Sequence, residues 1–341
     1  MKQYNILVLT DHQTHSRENS VYALCAALQA HPAVQCIHLA SRGNEANRAF
    51  FYDHTATELE AWPVREDVSH EQGRTALLQH TIRVALRAYD IVWLRLPRPI
   101  PAGFFPFLCG AVGEDRIINR PSGIVETGNK AFLTHFPELT PPLRYCTTVD
   151  DLWAFHEQFP IVLKPVESYG GRGVVKLQGG LIYEGETGIP FSDYRPQLEA
   201  QLARGGYLAM KYLKNVRRGD KRIVVVNGRV LGAVLRLPPK GSWICNAARG
   251  GSARPSRLTA EERRIVERLN EALLPRGIAM YGIDTLVGDD GRRVLSEVNT
   301  LSIGGIKPLA ELTGRPLVER TAQLLVEYMQ GNVRERRGIL S

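Results

Sequence analysis

The sequence contains few cysteines, and none is paired at a spacing typical of metal or redox sites. Five cysteines occur among 341 residues, an odd number without any CxxC pair. This pattern argues against a disulfide framework and against a zinc site. It predicts a cytoplasmic protein, because disulfide-stabilised proteins belong to oxidising compartments. The cysteines are Cys25, Cys36, Cys109, Cys146 and Cys245.

Long hydrophobic runs are also missing. No apolar stretch approaches the ~20 residues that a transmembrane helix needs. The first apolar run, residues 4–9, is too short and too rich in strand-forming residues for a signal peptide. We therefore expect no contact with a membrane.

Several familiar nucleotide and nucleophile motifs are absent. No GxGxxG follows the first predicted strand, so the chain has no dinucleotide fingerprint. The glycine-rich residues 170–173 do not form a Walker A loop, because Lys164 precedes the glycines and lies on a predicted strand. No triad motif surrounds a serine or cysteine. Chemistry that needs an activated serine or cysteine is therefore not expected.

Positive charge exceeds negative charge, with a formal net charge of +8. The lysines and arginines are spread along the chain, and the aromatic–basic clusters typical of nucleic-acid binding are lacking. The one dense basic run, residues 334–337, is interpreted as a solvated tail. The charge therefore favours small anionic substrates, which a positive cleft attracts, over a nucleic-acid partner. An RNA- or ribosome-associated factor is the alternative interpretation of the charge alone.

Strands and helices alternate in the first third of the chain, which predicts a parallel α/β layer. At 341 residues the chain exceeds one typical core, so two or three subdomains are expected. Residues 41–70 show no regular pattern. The predicted strands are residues 4–10, 34–39 and 90–96, and the predicted helices are residues 19–30 and 74–88.

A proline-rich loop at residues 97–106 follows the third predicted strand, with Arg95 and Arg98 at its mouth. Ligands of open α/β sheets bind outside the carboxyl ends of the strands, where Arg95 is expected to lie. Arg95 is therefore a candidate clamp for a substrate carboxylate. A surface ion pair is the alternative.

A predicted helix at residues 126–136 carries Lys130, and a strand, a glycine-rich loop and a second strand follow at residues 160–177. Glycines let the backbone approach a ligand and present N–H groups to an anion. This order is typical of a β-flap that covers nucleotide phosphates, with Lys164 below them. A plain glycine-rich hairpin is the alternative.

A β-hairpin is predicted near the C-terminal end, on both sides of a Gly-Asp-Asp-Gly turn. Pairing Val287 with Val294 sets its register. Asp284 then lies opposite Glu297, and Asn299 shares their face because side chains alternate along a strand. Opposed carboxylates repel unless a cation lies between them, and these ligands suit Mg²⁺. A solvated hairpin whose acidic side chains face water is the alternative.

A second hairpin is predicted around an Asn-Gly turn, the strongest short-range hairpin signal. A two-residue turn pairs Val226 with Arg229. It thereby places Arg222 and Arg236 on opposite faces, so a bulge must intervene if both arginines serve one site. The apolar strand before this hairpin, residues 207–213, is either a core strand or one whose backbone meets an adenine edge.

Taken in order, these segments resemble the ATP-grasp superfamily, and in detail they are similar to the prokaryotic glutathione synthetases. The first third of the chain resembles them only in outline, in DIVWLRLPRP. The matching stretches cover most of residues 119–300: GNKAFLTHFPELTP, VLKPVESYGGRGVVKL, KYLKNVRRGDKRIVVVNG, the RLP…GGSARPSRLT run and GIDTLVG…LSEVNT.

The resemblance implies an α/β fold class, with α+β character in the C-terminal part. The N-terminal parallel α/β layer, residues 1–121, would be a substrate-binding domain. An ATP-grasp fold of two subdomains would follow and clasp the nucleotide. Its small flap subdomain would span residues 122–213, and its large C-terminal subdomain would span residues 214–341.

The resemblance also implies cofactors and residue roles. The cofactors are ATP and Mg²⁺, with Mn²⁺ as the alternative metal. Arg222 and Arg236 would face the reacting carboxyl group as catalytic residues, and Asp284, Glu297 and Asn299 would hold the metal. The ATP-binding residues would be Lys130, Lys164, Gly170, Gly171, Gly173, Met210, Lys211, Tyr212, Leu213 and Asp220. The substrate-binding residues would be Arg95, Asn246, Gly250, Gly251, Ser302, Gly304 and Gly305.

The implied function is that of a carboxylate–amine ligase that acts through an acylphosphate. Its partners would be a small anionic carboxylate donor, an amine acceptor and further copies of the same chain in a homo-oligomer. The specific prediction is glutathione synthesis from γ-glutamylcysteine and glycine. Residues 300–305 depart from the usual family loop, although the Ser302 hydroxyl and backbone N–H groups could still hold a glycine carboxylate.

Two alternatives to glutathione synthesis stay open. The small residues of this loop also leave room for a larger acceptor, so the first is a related ligase that makes a different amide or peptide bond in natural-product or peptide-tailoring metabolism. The second is a non-catalytic nucleotide-binding module. Against it stands the presence in one chain of Lys164, Arg222, Asp284, Glu297 and Asn299.

Overall fold

The computed structural model describes residues 3–65, 68–168, 170–185, 187–239, 243 and 252–339. Within these residues the strands form three sheets, and each sheet draws on one consecutive part of the chain. The helices are α1 (Val21–Gln29), α2 (Arg48–Phe51), α3 (His70–Gln79), α4 (Phe104–Val112), α5 (Pro121–Thr127), α6 (Val149–His156), α7 (Phe191–Arg204), α8 (Ala260–Leu273), α9 (Ile306–Thr313) and α10 (Leu317–Ile339).

The first sheet is mixed rather than parallel throughout. Its strands are β1 (Tyr4–Thr10), β2 (Val34–Ser41), β3 (Glu58–Val64), β4 (Ile82–Ala85), β5 (Ile91–Leu94) and β6 (Ile117–Ile118). The order is β4-β3-β2-β1-β5-β6. β1, β2, β5 and β6 pair in parallel, as the alternation of strands and helices predicts. β3 and β4 extend the sheet by antiparallel pairing.

Two predictions for this region are wrong. Residues 41–70 include β3, in which the buried Leu59 and Ala61 alternate with more exposed glutamates. Residues 74–88 are not one helix, because α3 starts earlier, at a capping box between Ser69 and Gln72, and β4 follows it. β4 is the edge strand of this sheet and none of its four residues is buried, so the sequence carries no hydrophobic alternation there.

The second sheet carries the predicted flap. Its strands are β7 (Leu143–Cys146), β8 (Ile161–Pro165), β9 (Val175–Gln178), β10 (Leu181–Glu184), β11 (Thr187–Pro190) and β12 (Tyr207–Lys211), in the order β11-β10-β9-β8-β12-β7. The glycine-rich loop joins β8 to β9, as predicted. Residues 179–192 contain β10, β11 and the start of α7.

Lys130 lies outside any α-helix, contrary to the prediction of a helix at residues 126–136. The helix α5 begins with Pro121 in its first turn and ends at Thr127. A 3₁₀ segment, Lys130–His135, follows, and the Asn129 side chain caps it by accepting from the Ala131 N–H. The end of α5 before Gly128 and the Asn129 cap therefore divide the stretch that was predicted to be one helix.

The third sheet is antiparallel and carries the two predicted hairpins. Its strands are β13 (Asp220–Val226), β14 (Arg229–Leu237), β15 (Ser252–Ser256), β16 (Met280–Val287) and β17 (Arg293–Asn299), in the order β15-β14-β13-β16-β17. One face, with Ile223 and Ile283, packs in a hydrophobic cluster with Leu269 of α8. On the other face, Val224 clusters with residues of α9 and α10, including Leu309. Asp284 and Arg222 extend from this second face beyond the apolar cluster.

Among the residues that the structure describes, no helix is both long and apolar enough to cross a bilayer.

Candidate active site

A cavity of about 250 Å³ lies between the second and third sheets. Residues of β8 and β12 line one side of it, and residues of β13, β14, β16 and β17 line the other. The predicted site residues that it brings together are Lys130, Lys164, Gly170, Gly171, Met210, Lys211, Tyr212, Leu213, Asp220, Arg222, Arg236, Asp284, Glu297 and Asn299. We call this space the first cavity.

The hairpin of β16 and β17 places Asp284 opposite Glu297, as predicted, but by a different register. At the turn Val287 pairs with Arg293 rather than with Val294. A register shift directly after Asp284 then restores the predicted pair. The two carboxylates therefore share one face because a bulge compensates for a one-residue displacement at the turn.

The hairpin of β13 and β14 contains the bulge that sequence reasoning required. Val226 pairs with Arg229 across the Asn-Gly turn, and the register shifts between Val224 and Val225. Beyond the shift, Asp220 lies opposite Arg236. Arg222, two residues on from Asp220, consequently shares a face with Arg236.

These side chains form a buried cluster of two acids and two arginines. Arg222 donates to Asp284 Oδ2 at 2.8 Å, and Arg236 Nη2 lies 3.0 Å from Asp284 Oδ1. Arg236 Nε also donates to Asp220 Oδ1 at 2.8 Å. Asp284 is only 4% exposed. Most of its capacity to accept hydrogen bonds is therefore used by guanidinium groups.

The pKa values of the two acids shift in opposite directions. Burial alone would raise the pKa of Asp284, but the charges of Arg222 and Arg236 outweigh it and hold that pKa at about 2. At Asp220 burial dominates over the hydrogen bond from Arg236 and raises the pKa to about 6. Asp284 is thus the firmly ionised member of the cluster.

Two lysines face the same cavity without a carboxylate partner. Lys164 Nζ donates to the Ser296 carbonyl at 3.0 Å, and Lys130 Nζ donates to the Ser168 carbonyl. Burial lowers the pKa of both ammonium groups, that of Lys130 to about 8 with partial opposition from Glu297. In the described ranges no carboxylate oxygen lies within 4 Å of either ammonium group. A polyanion such as a triphosphate would supply the missing counter-charge.

Glu297 and Asn299 provide the most open oxygen ligands of the cavity. The Glu297 side chain has no hydrogen bond or ion pair with any described residue, and Asn299 Nδ2 is buried without a partner. The residues that the structure describes contain no cluster of three or more His, Cys, Asp or Glu side chains suited to a metal. The carboxylate of Glu297 and the amide oxygen of Asn299 fit Mg²⁺, which takes few protein ligands and completes its shell with phosphate oxygens.

Residues 129–314, more than half of the chain, match the family described as "Prokaryotic glutathione synthetase, ATP-grasp domain". The chain belongs to this family. It is an ATP-grasp carbon–nitrogen ligase, and ATP-grasp ligases use ATP and Mg²⁺.

Individual proteins support the same assignment. Over 251 residues the ligase is 30% identical to a glutathione synthetase of Bradyrhizobium diazoefficiens, covering 72% of this chain and 76% of that one. Its fold resembles that of a D-cycloserine synthetase, with a TM-score of 0.64 and 13% identity over 95% of this chain and 99% of the other. It also resembles an ATP-grasp ligase complexed with a variant precursor, Mg and ADP, with a TM-score of 0.57 and 14% identity over 95% and 98% of the chains.

One end of the first cavity of the ligase is apolar, and part of its lining was not expected from the sequence. The backbone N–H groups of Lys211 and Tyr212 already donate to the Pro142 and Pro160 carbonyls. Contacts to a base at this end therefore depend more on side chains than on these two amides. The lining residues that sequence reasoning missed are Val162, Val174, Val216, Trp243, Leu286 and Ser296.

Trp243 is the aromatic residue of this missed set. Its Nε1 donates to the Gly185 carbonyl at 2.8 Å, and its ring lies edge-on to Tyr212. The signal that could have found it is a lone tryptophan inside a polar, glycine-rich stretch. The predicted residues Asn246, Gly250 and Gly251 belong to the same stretch but lie outside the described residues.

Arg95 lines neither this cavity nor its neighbour, and its role as a substrate clamp stays a prediction. Its N–H still bonds to the Leu9 carbonyl, so its side chain follows the alternation of β5 and packs over the Trp93 ring. The guanidinium donates to the Ile303 carbonyl at 2.6 Å and is 5% exposed. Burial lowers its pKa to about 10. Arg95 therefore holds the loop after β17 against the first sheet.

A second cavity of about 240 Å³ adjoins the first. The two share Lys130, Gly170, Glu297 and Asn299. The other residues that line the second cavity are Pro97, Arg98, Gly128, Ser168, Val298, Thr300, Leu301 and Ser302.

Among the predicted substrate residues in the described ranges, Ser302 alone lines this second cavity. Its hydroxyl donates to the Arg95 carbonyl at 3.1 Å, so its proton is committed to that carbonyl. Gly304 and Gly305 line neither cavity, and Gly305, with a φ of 88°, is the residue before α9. Gly173 has a φ of 67° in the flap loop but is also outside both cavities.

Proposed function

We propose that the protein is a glutathione synthetase, which joins γ-glutamylcysteine to glycine while ATP is converted to ADP and phosphate. The observation that carries the proposal is the first cavity of this chain, which belongs to the glutathione synthetase family. There, two lysines without an ion-pair partner in the described residues face Glu297, Asn299 and the Asp284 cluster. The homo-oligomeric state and the cytoplasmic location stay predictions.

The first cavity would bind ATP with its base at the apolar end and its phosphates near Lys130 and Lys164. Both ammonium groups are desolvated and lack a counter-ion, so a triphosphate would compensate them. Glu297 and Asn299 would hold Mg²⁺, with Asp284 beside them. When bound, Mg²⁺ neutralises charge on the phosphate oxygens as a Lewis acid.

The reaction would proceed in two steps. The γ-phosphoryl group moves to the donor carboxylate, which gives an acylphosphate and ADP. The acceptor amine then attacks that carbonyl carbon, and the tetrahedral intermediate expels phosphate. Both steps concentrate negative charge, so fixed cations supply most of the catalysis.

Two residues are placed to stabilise this charge. Lys130 lines both cavities and so would meet the transferred phosphoryl group from either side. Arg222 faces the first cavity and is anchored by Asp284, which keeps its guanidinium oriented. We expect Arg222→Ala to reduce kcat by about 10²–10³-fold, the usual loss for one such donor, with a smaller effect on ATP affinity.

An ADP-release assay tests the proposal. Purified protein with ATP, Mg²⁺, γ-glutamylcysteine and glycine should form glutathione and ADP in equal amounts. Arg17→Ala provides a matched control, because this exposed arginine lines neither cavity. No ADP with this pair, but ADP with another donor and acceptor, would exclude glutathione synthesis and leave the ligase mechanism standing.

A related ligase that makes a different amide is the second candidate. The observation that favours it is the Ser302 hydroxyl, whose proton is donated to the Arg95 carbonyl and is therefore not free for the carboxylate of glycine. Screening further amines, including peptides, in the same ADP assay distinguishes the two candidates.

A further inference from the structure

The second cavity contains an arginine that the sequence analysis did not select. Arg98 lies in the loop after β5, and its Nη2 donates to the Gly128 carbonyl at 3.1 Å. Across the described ranges this is its only hydrogen bond, and no carboxylate oxygen lies within 4 Å of it. A guanidinium has five N–H donors, so most of those of Arg98 are open to a ligand.

The surroundings of Arg98 lack a close negative charge. Burial lowers the pKa of its guanidinium, and the exposed Glu167 opposes this effect only in part. Arg42, which donates to the neighbouring Pro99 carbonyl at 2.6 Å, differs because Asp11 lies 2.8 Å from it and neutralises it. Arg42 is therefore neutralised within the fold. Arg98 keeps a positive charge that an anionic ligand could neutralise.

The position of the cavity connects Arg98 to the reaction centre. The second cavity shares Lys130, Glu297 and Asn299 with the first, where the phosphates and the metal are proposed to lie. A ligand could thus place its reacting group at this junction and its other end at Arg98.

We propose that Arg98 binds a carboxylate of the substrate that takes no part in the reaction, and that it thereby selects substrates with a second anionic end. The inference rests on the proposed ligase function. A guanidinium pairs with a carboxylate through two parallel hydrogen bonds, a geometry that lysine cannot reproduce. The carboxylate belongs either to the donor, as its α-carboxylate, or to an amino-acid acceptor.

Kinetics with paired substrates test this role and show whether the bound carboxylate belongs to the donor or to the acceptor. In the donor arm, γ-glutamylcysteine is compared with 4-aminobutyrylcysteine, which lacks the α-carboxylate. In the acceptor arm, glycine is compared with glycinamide. We expect Arg98→Ala to raise the KM of the free acid in one arm by roughly 10–100-fold, as for a lost hydrogen bond to a charged group.

The analogues and a second variant provide the internal controls. The analogue without the carboxylate should show the same KM with the wild type and with Arg98→Ala, and the KM for ATP should not change. Arg98→Lys should recover only part of the loss. Unchanged KM values for both free acids would overturn the inference.

Binding without turnover keeps this test independent of the proposed reaction. Calorimetry with Mg²⁺ and a non-hydrolysable ATP analogue measures the affinities of the same four compounds. A free acid that prefers the wild type over Arg98→Ala by tenfold or more supports the inference, even if no glutathione forms. Equal affinities in both arms, or no binding of any compound to the wild type, overturn it.

Discussion

The two opposed carboxylates of the third sheet should respond differently to the same loss of charge. Asp284 is buried and contacts Arg222 and Arg236, whereas Glu297 is half-buried without an ion-pair partner in the described part of the chain. Asp284→Asn is therefore expected to lower both stability and activity. Glu297→Gln is expected to lower activity alone.

The size of the expected stability loss depends on which ion-pair partners remain after each substitution. Removing one partner of a buried ion pair costs about 3–5 kcal/mol, because a charge is left uncompensated. Asp284→Asn would leave Arg222 without an ion pair, while Arg236 keeps Asp220, so we expect the lower end, about 3 kcal/mol. Glu297→Gln breaks no such contact and should stay within about 0.5 kcal/mol.

The pKa of Asp284 sets the pH at which this difference should be measured. The folded pKa of about 2 lies below the ordinary value of 3.8, so the stabilising contribution of Asp284 is complete above pH 3.8. It is lost only as the pH falls through about 2. Measurements at pH 7 therefore register the whole effect.

Urea denaturation of the nucleotide-free variants, followed by circular dichroism, measures the stability difference. ADP release at saturating ATP and Mg²⁺ measures activity on the same preparations. Equal losses of stability in the two variants, or an Asp284→Asn variant as stable as the wild type, would refute the reasoning. Full Mg²⁺-dependent turnover by Glu297→Gln would remove Glu297 from the metal site.

Two further predictions concern buried titratable groups. Glu262→Gln should destabilise the fold by about 3 kcal/mol, because Lys221 Nζ lies 2.6 Å from the Glu262 carboxylate in the interior. Urea denaturation should show that adding Lys221→Met recovers much of this loss, and a double variant no more stable than Glu262→Gln would contradict it. Burial lowers the pKa of His15 to about 4 from 6.5, so its contribution to stability is complete above pH 6.5 and is lost as the pH falls toward 4. The thermal midpoint should therefore fall further between pH 7 and pH 4.5 in the wild type than in His15→Gln, and equal falls would exclude this role.

Much of the candidate site could be predicted from the sequence because its parts are local. The Asn-Gly turn fixes the Val226–Arg229 pair, and the strand alternation sets which side chains share a face. The Thr259–Glu262 capping box likewise marks the start of α8 through residues only three positions apart. The family was identifiable for the same reason, since its motifs lie on consecutive segments in a set order.

Bulges were decided by the folded sheet. Arg222 and Arg236 share a face only because β14 accommodates an extra residue, and the Asp284–Glu297 pair survives a displaced turn through a similar shift. A bulge moves every later side chain to the other face, yet it leaves little trace in composition. Its position depends on how both faces of the sheet are packed.

The roles of Arg95 and Arg98 show the strongest effect of tertiary structure. The two arginines are three residues apart in one loop region and read alike in the sequence. Arg95 is buried because Ile303, from the loop after β17, supplies a carbonyl partner, whereas Arg98 lines the second cavity. Burial of a charge depends on the partner that packs against it, and here that partner lies about two hundred residues away along the chain.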